Sequence, residues 1–347
     1  MRRPRARSLP AVVVLALALA GCSSGPGVPP RDRGGASGGI PILLASDRGG
    51  ALRIYAIDQE DGAARLIGSP SAADPSYQDS MPVRMSDGRI VFVSDRDGNP
   101  EIYLASPEGG AVARLTRGPG NSGRAMRESD PAPLGRDRIV FAGTEAGAPA
   151  ASPRDLFIVR TDGSEMRRVT RNPADDSAPA GSPDGRSVAF VSDRSGSPRL
   201  ELMPDVDAAD PDATVVDLSR LAPPGPGDAG RPFTDGAPAF LPDGSLAFSR
   251  GFGSGPPQIF LMGAGGTHLG LRQVTESLVL PYGAYDPVAL GQDAVLFTTC
   301  LTVDSPGGAK AERCVAYRIA FGGFNLVKVT RDQAHYSDFS RRLSPRR

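Results

Sequence analysis

At 347 residues the chain has room for one large or two ordinary domains. Its 43 glycines, 34 prolines, 6% aromatic content and lack of Trp suit many turns and short strands and exclude long helices; beyond the N-terminus no segment sustains a 3.6-residue apolar period. Acidic and basic residues balance at 39 each, so no basic field points to nucleic acid.

Arg2, Arg3, Arg5 and Arg7 form a positive n-region, and Ala11–Ala20 an apolar h-region too short to span a bilayer. The stretch ends in Leu19-Ala20-Gly21-Cys22, which resembles the lipobox of bacterial lipoproteins in spacing and residue type. The resemblance implies that residues 1–21 are removed and that Cys22 is diacylated and becomes the lipidated N-terminus, anchoring the chain to a membrane. The alternative is an ordinary signal peptide with a chance cysteine. Removal leaves 35 basic against 39 acidic residues, a net charge of −4. Residues 22–39, rich in Ser, Gly and Pro, read as a flexible tether with a reach of roughly 20–25 Å. Ser23, not Asp, follows the cysteine; by the sorting rule of lipoproteins this implies the outer membrane in a Gram-negative envelope. In another envelope the anchor lies on the outer face of the cytoplasmic membrane.

From residue 40 a unit of about fifty residues recurs six times, the period of propeller blades. The apolar strands predicted second in each blade (B) are Ile42–Ala45, Ile90–Val93, Ile139–Ala142, Val188–Val191, Leu246–Ser249 and Val295–Thr298. Phe92, Phe141, Phe190, Phe248 and Phe297 take one equivalent place in them, and Leu44 takes it in the first copy. The following strands (C) are Arg53–Ile57, Glu101–Ala105, Asp155–Val159, Arg199–Met203, Gln258–Met262 and Cys314–Ala320. An outer strand (D) ends in a Leu/Val-Thr signature at Leu115-Thr116, Val169-Thr170, Val274-Thr275 and Val329-Thr330. An inner strand (A) is announced by Asp79, Asp130, Asp176, Asp235 or Asp286. Ser86-Asp87-Gly88, Pro183-Asp184-Gly185 and Pro242-Asp243-Gly244 are A–B turns. The first copy lacks an A strand, and Tyr336–Ser340, with Asp338, supplies the phrase at the other end of the chain. The reading is an all-β, six-bladed β-propeller over residues 40–347, four antiparallel strands per blade, closed by the C-terminal strand, which removes an exposed sheet edge.

Ser182-Pro183-Asp184-Gly185, then Val188-Ala189-Phe190-Val191-Ser192-Asp193-Arg194, then a strand, Asp-Gly and Arg-Val-Thr, resembles the repeat of TolB-type six-bladed propellers over roughly residues 40–345. Blades two to four match most fully. The helical N-terminal domain that precedes the propeller in that family has no counterpart in the tether, so the family's partners are not carried over.

Cys300 and Cys314 flank the predicted B–C loop of blade six. An exported compartment permits their oxidation, and a disulfide closing this loop would stabilise by roughly 3 kcal/mol; two free thiols are the alternative. The two histidines, His268 and His335, lack the partners of a metal site or a hydrolytic triad, and there is no Gly-x-Ser-x-Gly elbow. No catalytic residue, metal site or cofactor is assigned. Asp95-Arg96-Asp97-Gly98-Asn99 lacks the distal Glu of a calcium loop and reads as a hairpin turn; Asp205, Asp207, Asp210 and Asp212 read as a solvated acidic C–D loop. Asp79, Asp130, Asp176, Asp235, Asp286 and Asp338 recur as repeat-defining residues, each accepting backbone N–H bonds; the alternative is an acidic ring for a cation or basic peptide.

The longest loops, Arg117–Ser129, Gly143–Arg154, Leu221–Thr234 and Cys300–Arg313, fall on the face shared by D–A and B–C connections. Arg124, Arg127, Arg231, Phe233, Phe252, Tyr282, Tyr285 and Tyr336 lie there as candidate interface anchors. The expected function is a monomeric, membrane-anchored scaffold that binds an envelope protein, peptide or glycan; the alternative is a polysaccharide hydrolase or lyase working at the channel mouth.

Overall fold

The computed structural model describes residues 41–328 apart from 48, 59–62, 118–125, 146–147, 150–151, 222–229, 264–270, 276–282, 292, 305–309 and 322–325, with backbone alone at several strand ends, among them 300–304 and 310–314. Blade one contains β1 (Ile42–Ser46), β2 (Arg53–Ile57) and β3 (Ala64–Ile67). Blade two contains β4 (Asp79–Arg84), β5 (Ile90–Ser94), β6 (Glu101–Ala105) and β7 (Val112–Arg114). Blade three contains β8 (Met126–Leu134), β9 (Arg138–Glu145), β10 (Asp155–Arg160) and β11 (Arg167–Arg168). Blade four contains β12 (Asp176–Gly181), β13 (Val188–Ser192), β14 (Arg199–Met203) and β15 (Val216–Asp217), followed by the single turn α1 (Leu218–Leu221). Blade five contains β16 (Phe233–Phe240), β17 (Leu246–Phe252), β18 (Gln258–Met262) and β19 (Arg272–Gln273). Blade six contains β20 (Tyr285–Ala289), β21 (Ala294–Asp304), β22 (Lys310–Ala320) and β23 (Leu326–Lys328). Every pairing is antiparallel and sequential, giving five four-stranded sheets and, among the described residues, three strands in blade one. Its predicted closing strand, Tyr336–Ser340, lies outside the described residues.

The core lies between blades, because a single twisted sheet cannot bury both of its faces. Six apolar clusters fill the six seams. Leu43, Ile54 and Ile67 meet Ile90 and Phe92 between blades one and two. Val91 and Ile102 meet Ile139 and Phe141 at the next seam. Ile42, Leu44 and Tyr55 pack against Leu296 and Ala316, which joins blade six back to blade one. The repeated phenylalanines are all at most 1% exposed. Cross-strand registers pair Phe92 with Tyr103, Phe141 with Phe157, Phe248 with Phe260 and Phe297 with Tyr317. Their rings stack at 5.7–6.0 Å, within the range of favourable aromatic pairs. The B strands β1, β5 and β13 are buried at every residue, which is why they read as unbroken apolar runs.

Each A strand faces the axis and is an edge. Proline suits it, since the ring removes a donor that no strand there would accept. Pro82, Pro131, Pro179, Pro238 and Pro287 occupy one position in β4, β8, β12, β16 and β20. The register slips beside each of them. Met81, Asp130, Ala178 and Asp286, each preceding its proline, have φ of 46–56°, so the bulge is a repeated part of the blade.

Two predicted boundaries are corrected. The Leu/Val-Thr signature follows the D strand instead of ending it. Leu115, Val169 and Val274 donate N–H to the carbonyls of Ile102, Leu156 and Ile259. Those residues in turn donate N–H to the hydroxyls of Thr116, Thr170 and Thr275 at 2.9–3.0 Å. The threonine hydroxyl thus takes the acceptor's place where the ladder stops. In blade six, the predicted B–C loop Cys300–Arg313 is mostly hairpin: β21 and β22 pair from Ala294–Ala320 out to Asp304–Lys310.

Candidate functional site

Among the described residues a backbone bond crosses five of the six seams at the A strand. Asp79, Glu128, Asp176, Asp235 and Ala284 donate N–H to the carbonyls of Leu52, Pro100, Arg154, Pro198 and Pro257. This identifies the equivalent residues, three positions before the proline. Asp79, Asp176 and Asp235 hold that position; Asp130 and Asp286 stand two residues later, at the positive-φ bulge, and Asp338 lies outside the described residues. Aligning the repeats on the proline instead of on the aspartate would have revealed Glu128.

Of these carboxylates, Asp235 accepts N–H from Leu200 at 3.2 Å and Asp130 from Ala178 at 3.4 Å, and arginines hold four. Arg96 Nη2 donates to Asp79 at 2.8 Å, Arg194 Nη2 to Asp176 at 3.3 Å, and Arg250 Nε to Asp235 at 2.6 Å. Arg154 Nη1 reaches Asp130 at 3.3 Å. Burial raises the pKa of the Asp79 carboxyl, opposed by hydrogen bonds from Ser94 and Arg96. The Ser-Asp-Arg phrase caps backbone as well: Asp95 and Asp193 accept N–H from Gln78 and Asp175 at 2.6 and 2.9 Å. Arg53, fully buried and absent from the sequence-based candidates, donates to the carbonyls of Leu52 and Tyr77 at 2.7 Å and fixes the connection into blade two.

On the predicted binding face, several of the described candidates make internal contacts. Arg127 Nη2 donates to the carbonyls of Ala148 and Pro149. The Phe233 ring has Arg199 at 3.9 Å and Arg250 at 4.4 Å from its centroid. Phe252 packs 6.1 Å from Phe233, and exposed Arg231 lies 5.7 Å over Phe252. Tyr285 is half-buried at the start of β20. Arg124, Tyr282 and Tyr336 lie outside the described residues, as do Cys22, His268 and His335. The acidic loop is exposed at Asp207 and Asp210 and also reaches a neighbouring blade. Asp207 pairs with Arg138 and Arg167 of blade three at 2.9 and 2.8 Å, while Asp212 pairs with Arg194 of its own blade at 3.2 Å. Cys300 and Cys314 stand directly opposite each other in the β21–β22 register.

A cavity of about 460 Å³ opens at the other face, among the A–B turns. The A strands of blades two to six form its wall, with Pro82, Pro131, Pro133, Pro179, Pro238 and Pro287 lining it and Val288 37% exposed. Arg84 and Arg136 border it. Arg84 donates to the carbonyls of Gly88 and Pro41 at 3.3 and 3.2 Å; Arg136 is exposed. Among the described residues neither has a carboxylate within ion-pair distance. Burial lowers the Arg84 pKa, with the nearby Arg65 charge adding to it, yet a guanidinium keeps its charge. None of the sequence-based face residues lines this cavity. A smaller one of about 340 Å³, between the Asp184 and Asp243 turns, shares Ser182, Pro183 and Phe240 with it.

No family model matches the chain. A protein TolB homolog from Chlorobium luteolum is 27% identical over 206 residues, 46% of this chain and 47% of that protein, so the chain spans about half the length of that relative. The Tol-Pal system protein TolB of Bordetella pertussis is 52% identical over 46 residues, 13% of this chain and 10% of its own. Among solved structures, TolB from Acinetobacter baumannii superposes with a TM-score of 0.60 at 16% identity, covering 86% of this chain and 65% of its own. A Mycobacterium tuberculosis puromycin-hydrolyzing peptidase reaches 0.54 at 16% identity, covering 84% of this chain and 44% of its own. With six blades around a proline-walled channel and these likenesses, the chain is a TolB-like β-propeller.

Proposed function

We propose that this chain is an exported, monomeric scaffold of the cell envelope that binds a segment of a partner protein at the channel mouth ringed by A–B turns, without catalysis. The cavity of about 460 Å³ carries the reading. Its proline-rich wall is short of backbone donors and suits apolar side chains, while Arg84 and Arg136 at its border suit an acidic group. A peptide segment combining the two fits better than a glycan, whose hydroxyls would lose their water against that wall. The relatives named as a TolB homolog and as TolB of the Tol-Pal system support an envelope protein as the partner.

Anchoring through Cys22 and a Cys300–Cys314 disulfide belong to the same reading. Directly opposed residues of antiparallel strands have Cα atoms roughly 4.5–5.5 Å apart, inside the span a disulfide accepts. Its formation takes two electrons and two protons from the thiols, which a disulfide oxidoreductase of the exported compartment accepts.

A photo-reactive residue at Val288, with a control at Phe252 on the other face, tests the site in cells. One reproducible partner captured from Val288 alone is the expected result, with capture reduced about tenfold when Arg84 and Arg136 are both replaced by Glu. Equal capture from both positions, or indifference to the double charge reversal, would sink the proposal.

A further inference from the structure

The seam between blades two and three departs from its counterparts. In blade five the equivalent A-strand residue, Asp235, lies opposite Arg250 in the β16–β17 register and is paired with it. In blade three that residue is Glu128, and its register partner in β9 is Gly143, which has no side chain to supply a charge. The first C-strand residue across the seam differs as well. It is Arg53 between blades one and two, 3.9 Å from Asp79, but Glu101 here.

This seam therefore gathers two carboxyl groups, each 2% exposed. Glu128 Oε2 accepts N–H from Ile102 at 3.0 Å and the hydroxyl of Thr116. Glu101 Oε1 accepts from Asn99 Nδ2 at 3.1 Å and from Arg114 Nη2. Among the described residues the remaining oxygens, Glu128 Oε1 and Glu101 Oε2, have no hydrogen-bond partner. The charged neighbours are Glu101 on β6 and Arg114 on β7, and Arg114 is shared with Asp97 in the β5–β6 turn at 3.3 Å.

We propose that Glu128 is a proton-binding site built into the seam, keeping its proton in the folded ring at neutral pH where the equivalent carboxylate of blade five keeps an arginine. A proton on Glu128 removes its charge and leaves Glu101 and Asp97 as the anions that share Arg114. Burial pushes the Glu128 carboxyl from 4.5 up to about 8; the bonds from Thr116 and Ile102 oppose that rise and the Glu101 charge adds to it. Burial raises the Glu101 carboxyl too, opposed by the Arg114 charge. Glu128's folded-state pKa lies above its unfolded value, so its contribution is complete below about pH 4.5 and is lost as pH climbs to about 8. Over that interval the folded state holds a proton that the unfolded chain has released. Above it, a second charge sits in the seam between the two blades.

Urea unfolding of the full chain and of Glu128→Gln at successive pH values tests this. Glutamine keeps the shape, the acceptor and a permanent donor. The wild-type folding constant is expected to fall about tenfold per pH unit relative to the variant between roughly pH 5 and 8. In the wild type, the Glu128 carboxyl carbon, assigned by its missing NMR signal in the variant, is expected to titrate near pH 8. Parallel pH profiles, or a Glu128 signal that titrates near 4.5, would overturn the proposal. Should Glu128→Gln fail to fold, the Glu128 carboxyl carbon is assigned through the backbone resonances of the wild type and the titration alone decides.

Discussion

Arg250 and Asp235 stand 2.6 Å apart with both side chains fully buried; Arg89 and Asp87 are also 2.6 Å apart, but with 30% and 43% of their side chains exposed. Equal distances carry unequal energies, because water screens the second pair and a lost partner strands a charge in the first. Asp235→Asn is expected to lower stability by roughly 3–5 kcal/mol and Asp87→Asn by under about 1 kcal/mol, read as shifts in the urea midpoint. Similar losses for the two would refute the distinction. Single residues were legible where apolar burial decided them: every repeated phenylalanine sits where the pattern predicted it. Charged residues were less so. An aspartate near the start of an A strand reads alike at Asp79 and Asp130, and the seam hydrogen bond and the spacing to the repeated proline separate the two positions. Glu128 escaped notice because the repeats were aligned on aspartate.

The C strands of blades one, two, four and five begin and end where the sequence predicted, since burial on both faces leaves a sharp apolar run bounded by turns. The D strands did not, because their last acceptor is a threonine hydroxyl, which sequence cannot distinguish from a ladder carbonyl. The β21–β22 hairpin was shortened for a related reason. Beyond Thr298 it has lost the β20 partner, so no burial pattern marks its continuation. A disulfide between Cys300 and Cys314 would clamp this arm four rungs from its described end. Exported protein alkylated without reductant is expected to show no reactive thiol, and Cys314→Ser to cost roughly 3 kcal/mol. Two modified cysteines in the native protein would rule the clamp out. Inner strands also pack closely: a Cβ on Gly181 of β12 would lie 2.2 Å from the Pro133 carbonyl oxygen and 2.7 Å from Leu134 Cα, both backbone atoms. Gly181→Ala is expected to destabilise by about 1–3 kcal/mol or more, with the melting temperature as the readout; an unchanged value would mean that the two A strands can separate freely.

At the scale of the whole ring, blade number and order were legible, whereas the face that carries the cavity was not. Loop length favoured the D–A/B–C side, where the described side chains make internal contacts, Arg127 within blade three and Phe233 with Arg199 across a seam. The cavity instead follows from proline side chains on five inner edges, a property of strand orientation and not of any loop. Cys22→Ser is expected to move the protein from the membrane to the soluble fraction; unchanged fractionation would remove the lipid anchor from the proposal. The seams themselves are alike in their apolar filling and unlike in their polar latches. Arg53 meets Asp79, the Ile102 N–H and the Glu101 charge meet Glu128, Leu200 and Ser219 meet Asp235, and between blades five and six Ala284 offers its N–H. The joints are therefore not interchangeable. A chain with two blades exchanged would keep its apolar filling yet part Arg53 from Asp79 or Asp207 from Arg138, leaving charged groups to meet partners chosen for another blade, so an order of assembly is written into those joints.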